Sequence, residues 1–174
     1  MKTKAVNIIF YIIAACYAVI MLDVFFRINV ISSGGETVRS FNLIPFRTIG
    51  SYLGDGLSMV TVRNVLGNVA VFIPYGVYLQ VMLKKKSFGK NLLTVFLTSV
   101  SIELLQFAFG VGAADIDDVL LNVCGGAIGI AGYRLLRRLL HEDGKTKTAI
   151  TAISVIIGVP VIAVYLAVCI RRFF

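Results

Sequence analysis

The sequence predicts an all-α, polytopic membrane helical bundle of about five transmembrane helices. Of the 174 residues, 58% are hydrophobic and only 15% charged, against roughly 25% charged residues in soluble domains, and the mean hydropathy is +0.90. Five apolar runs, at residues 5–26, 64–83, 91–110, 117–136 and 148–170, approach the roughly 20 residues that a helix needs to cross a bilayer. The basic residues that give a net charge of +8 stand at the ends of these runs. They form no patch interleaved with aromatics, so the expected partner is the lipid bilayer and no nucleic acid. Cys16, Cys124 and Cys169 sit inside apolar runs without metal or disulfide spacing, and the lone His141 makes no metal site, so no cofactor is expected.

The first run, preceded by Lys2 and Lys4, contains Ile13-Ala14-Ala15-Cys16, the form of a lipoprotein cleavage box. The chain stays apolar for several residues after Cys16 where a mature lipoprotein would turn polar, which favours a retained helix. Residues 27–63 form an extracytoplasmic loop. Within it, residues 41–57 carry enough Leu, Ile, Phe and Tyr to lie on the membrane surface, with Asn42 and Pro45 fixing a turn. In the second span Asn64, Asn68, Phe72 and Tyr75 share a face, and Pro74 with Gly76 predicts a kink or an open backbone. Lys84, Lys85, Lys86 and Lys90 precede the third span. In the fourth, Gly125 and Gly129 make a small-residue surface suited to close helix approach rather than a phosphate cradle. The fifth carries Pro160 and ends at Arg171 and Arg172.

With a cytoplasmic amino terminus, eleven basic residues fall inside: Lys2, Lys4, Lys84, Lys85, Lys86, Lys90, Arg134, Arg137, Arg138, Lys145 and Lys147. Six fall outside, Arg27, Arg39, Arg47, Arg63, Arg171 and Arg172. The positive-inside rule therefore predicts amino terminus in and carboxyl terminus out.

Residues 101–132 place polar groups where an apolar chain should not tolerate them. Ser99, Glu103, Gln106 and Gly110 share one helical face; beyond the short turn at 110–114, Asp115, Asp118, Asn122, Gly125 or Gly126, and Gly129 repeat the spacing. Helices so closely linked must lie antiparallel, so the two faces can form one polar pocket in the outer half of the membrane, with the Asn42 loop and Asn68 on the same side. Seven residues from Gly110, Glu103 lies about 10 Å below the helix end. A carboxylate at that depth is a functional candidate by default, with Arg39 and Arg63 as counter-charges. The competing reading is a structural network in which Glu103, Gln106, Asn68 and Asn122 lock the helices together. The candidate ligand-binding residues are thus Arg39, Asn42, Asn68, Glu103, Gln106, Asp115, Asp118 and Asn122.

Three segments, RSFNLIPF (39–46), NVAVFIPYG (68–76) and ELLQFAFGVGAADIDDVLLNVCGG (103–126), together resemble the VanZ family. The resemblance implies one small multi-spanning domain of the bacterial cytoplasmic membrane, associated with reduced susceptibility to teicoplanin-type glycopeptide antibiotics. It supplies no catalytic residues. Three chemistries stay open. The first is a non-enzymatic protein whose outer pocket binds a glycopeptide antibiotic or a lipid-linked cell-wall precursor. The second is a membrane-embedded enzyme in which Asp115, Asp117 and Asp118 hold a divalent metal; as Asp117 and Asp118 diverge by about 100° on a helix, Asp115 and Asp118 are the better pair. The sequence offers no nucleophile beside a base. The third is a small transporter, disfavoured by the clustering of polar residues on one side.

Overall fold

The computed structural model describes residues 2–32, 40–54, 59–83, 87–110 and 114–173. Six helices and two strand segments follow in order: α1 (Lys2–Ser32), β1 (Phe41–Asn42), α2 (Arg47–Gly54), α3 (Met59–Met82), α4 (Phe88–Phe109), β2 (Ala114–Asp115), α5 (Ile116–Leu140) and α6 (Asp143–Phe173). Among the described residues, α1, α3, α4, α5 and α6 contain the five segments long and apolar enough to cross a membrane. The fold is therefore the all-α, multi-spanning one that the sequence predicts.

Helix limits differ from the apolar runs in a consistent way. α1, α3 and α6 continue through polar residues beyond their runs, because backbone hydrogen bonding does not stop where lipid stops. Residues 137–147, which read as a basic loop, are nearly all helical; α5 and α6 are separated only by His141 and Glu142. His141 adopts a left-handed φ of 56°, ending α5 much as a glycine would, and the Glu142 carbonyl accepts both the Thr146 N–H (3.0 Å) and the Thr146 hydroxyl (2.7 Å). Pro74 and Pro160 lie inside continuous helices.

The chain divides into two compact units, residues 1–22 with 135–174, and residues 23–134. In the first, Phe10, Ile13, Ala14, Met21 and Ile150 are buried. The Lys147 ammonium stands 4.8 Å from the ring centroids of both Phe10 and Tyr11, a cation–π contact that suits a charge near the end of an apolar span. Ile156, Ile157, Val161 and Val164 of α6 are bare, a surface that lipid solvates and water would not.

The second unit packs α3 against α5 through backbone, while α4 meets them through side chains such as Val95 and Thr98. A β-carbon on Gly125 would run into the Val69 carbonyl, on Gly129 into the Ile73 carbonyl, and on Gly76 into the Gly126 carbonyl. The small-residue surface read from Gly125 and Gly129 is thus a helix–helix contact at van der Waals distance, where no other residue type fits. Phe72, fully buried, fills the adjoining space and meets Phe25 edge-on at 5.9 Å and Tyr75 at 5.6 Å. The same unit holds β1 and β2, which pair in parallel with Phe41 opposite Ala114 and Asn42 opposite Asp115.

Candidate functional site

The polar residues meet where β1, α2, β2, the start of α5 and the neighbouring parts of α3 and α4 come together. Asp115 is the N-cap of α5. Its Oδ1 accepts the Asp117 N–H at 2.9 Å, one of the donors left over at a helix start. Both its oxygens also face β1 and α2: Asn42 donates to Oδ1 at 3.0 Å and the Thr48 hydroxyl to Oδ2 at 2.6 Å, while Asn42 donates a further bond to Thr48 at 2.9 Å. These three side chains close a ring of hydrogen bonds.

Asp117, 1% exposed, turns the other way. Its carboxylate accepts the backbone N–H groups of Phe46 (2.5 Å), Thr48 (2.8 Å) and Ile49 (3.1 Å). These belong to the start of α2, so a carboxylate from a segment some 70 residues away serves as that helix's cap and complements its dipole. Phe46 holds a left-handed φ of 63°, costly for a residue with a side chain, on the order of 1 kcal/mol, and the bond to Asp117 offsets that cost.

Glu103 lies deeper. Only 5% exposed, it accepts the Asp115 N–H on Oε2 at 3.1 Å. The sequence offers Arg39 and Arg63 as its counter-charges, or Gln106, Asn68 and Asn122 as network partners; the structure gives it the Asp115 N–H instead, because the chain after Gly110 folds back so that β2 meets it. The β1–β2 pairing together with the Ala114 N–H bond to the Ser40 carbonyl (3.0 Å) satisfies the non-helical backbone of this returning segment. Beside it, Asn68 of α3 donates to Asp118 Oδ1 at 2.6 Å.

Thus Asn42, Glu103 and Asp115 form one network, and Asn68 and Asp118 a pair. Gln106 donates to the Phe25 carbonyl of α1 at 3.0 Å, and Asn122, fully buried, donates to the Ser99 hydroxyl at 2.9 Å, so both join helices beside the network. Arg39 lies outside the described residues, as does the side chain of Arg63. Among the described residues no three His, Cys, Asp or Glu side chains are grouped so as to hold a metal ion. Two participants escape the sequence argument. Thr48 has no periodicity to mark it. Asp117 loses out in a comparison of directions on one helix, because its partners are a loop and not a neighbouring helix; the signal for it was the acidic first turn after the Asp115 cap.

Long helices with bare apolar faces, together with a buried, hydrogen-bonded set of carboxylates and amides, define a multi-pass membrane protein. A family model described as VanZ/LLP1 matches residues 8–137. The chain belongs to this family. It is similar to Protein VanZ of Enterococcus faecium, with 33% identity over 114 residues, which are 66% of this chain and 65% of that protein. The match therefore covers a little under two thirds of that relative's length. No solved structure matches.

Proposed function

We propose that the protein is a non-enzymatic, VanZ-like resistance protein that lowers susceptibility to teicoplanin-type glycopeptide antibiotics through a polar site on the outer side of the membrane. The reading rests on one observation. The three family-like segments, far apart in sequence, contribute to one place: Asn42 from the first, Asn68 from the second, and Glu103, Asp115 and Asp118 from the third. Residues that served only to hold helices together would not need a short strand to fold back onto Glu103.

In this reading Asn42, Asn68, Glu103, Asp115 and Asp118 bind, Arg39 supplies positive charge, and Gln106 and Asn122 set the helices that carry them. The ligand is the antibiotic or a lipid-linked cell-wall precursor, both rich in the sugar and peptide groups that amides and carboxylates recognise. The amino terminus is cytoplasmic and the carboxyl terminus extracytoplasmic, by the excess of eleven basic residues over six, and residues 1–174 act as one domain. Growth inhibition of a susceptible Gram-positive host tests the function. Expression is expected to raise the inhibitory concentration of teicoplanin relative to empty vector; an unchanged value at a confirmed membrane level refutes it.

A further inference from the structure

Two buried amides take no part in the network around Glu103. Gln80 is 0% exposed and Asn91 1% exposed, and Gln80 Nε2, Gln80 Oε1 and Asn91 Nδ2 have no hydrogen-bond partner among the described residues. Helix register puts the two residues at one level of the packed helices. A β-carbon on Gly76 of α3 would meet the Gly126 carbonyl, and one on Gly126 would lie 2.5 Å from Val95 Cγ1 of α4, so both helices rest on the same glycine of α5. α3 and α4 are consecutive, joined by the short link 83–87, and the Tyr75 and Thr98 hydroxyls bond across them at 2.8 Å. They run antiparallel. One turn onward from Gly76 is Gln80, and one turn back from Val95 is Asn91, so both steps lead about 6 Å in the same direction. The close approaches of Val69 to Gly125 and of Ile73 to Gly129 advance in step, so α5 runs parallel to α3 and brings fully buried Ile130 to the same level.

Buried amides without partners are costly, and at 0% and 1% exposure these two do not reach the surface. They offer two amide NH2 donors and one carbonyl acceptor, with no charge among them. We propose that Gln80 and Asn91 form a buried water site, in which one or two water molecules bridge the amides where α3, α4 and α5 pack together. Water has the mixed donor and acceptor character that such a set requires. The consequence reaches beyond the outer site. One stripe of α4 then carries Asn91, Ser99, Glu103 and Gln106, all buried, over about 22 Å of a hydrocarbon core about 30 Å thick. A single apolar turn, Val95 against Gly126, separates the two polar ends.

Water-edited solid-state NMR on the full-length, isotopically labelled protein in phospholipid bilayers tests this. Magnetisation is expected to pass from water to the side-chain amides of Gln80 and Asn91 but not to the backbone amide of Val95 in the same helix. In Gln80→Leu, and in Gln80→Met as a milder variant, transfer to Asn91 is expected to be lost while the backbone spectrum is retained. No transfer to either amide in the wild type overturns the proposal, as does a direct contact between the two amides without water transfer. Unchanged transfer to Asn91 in folded Gln80 variants overturns it too.

Discussion

Replacing Asp117 with Asn should release the start of α2 while leaving the helices that span the membrane intact. The carboxylate holds three backbone N–H groups, Phe46 through Oδ1 and Thr48 and Ile49 through Oδ2. An asparagine of the same shape keeps one oxygen. If that oxygen stays on Phe46, an amide NH2 is set against the N–H groups of Thr48 and Ile49, donor against donor; if the amide flips, the Phe46 bond is lost instead. A hydrogen bond to a charged acceptor contributes about 1.5–3 kcal/mol, so losing one or two of them, with the charge, should cost about 3 kcal/mol. Nothing in the spanning helices depends on those bonds, so the cost falls on local opening of residues 44–50. Hydrogen exchange by mass spectrometry reads it. Since 1.4 kcal/mol is a factor of ten, peptides covering 46–49 should exchange roughly 100-fold faster, with peptides of α3 and α4 unchanged. Unaltered exchange at 46–49 would refute the reasoning.

Other perturbations follow from the same geometry. Gly129→Ala places a methyl against the Ile73 carbonyl and should destabilise the protein by about 1–3 kcal/mol or more, as over-packing does. Gly132→Ala, where nothing lies within 4 Å of the added carbon, should be tolerated; equal unfolding temperatures for the two in detergent would contradict the close contact of α3 and α5. Arg137→Ala breaks an ion pair to Asp143 whose partners are about half exposed, and should change stability by less than about 1 kcal/mol, read by the same assay. Alkaline phosphatase fused after Phe174 should be active if the carboxyl terminus is outside; an inactive fusion at a normal level would reverse the orientation.

The spanning helices were legible because lipid demands long apolar runs, and runs survive as a signal without knowledge of packing. Gly125 and Gly129 were legible for the same reason: their spacing alone puts both on one face. The polar site was legible only in part. Glu103, Asp118 and Asn68 stand out as polar residues inside apolar helices, but Thr48 sits in a segment already polar and gains its role only when β1 pairs with β2. The distance of Glu103 from Gly110 follows from helix geometry, yet its Asp115 N–H partner does not, since a two-residue strand folding back has no periodicity. Gln80 and Asn91 passed as ordinary span ends; only their burial marks them out.

The most direct test of the proposed site compares teicoplanin inhibition in hosts carrying the wild type, Glu103→Gln, Asp115→Asn or Arg137→Ala, at matched membrane levels. Glu103→Gln keeps the size of the side chain and removes its charge, and is expected to return inhibition to the empty-vector value, as is Asp115→Asn, while Arg137→Ala keeps the wild-type value. Full protection by folded Glu103→Gln and Asp115→Asn proteins would contradict the assignment of the function to these carboxylates.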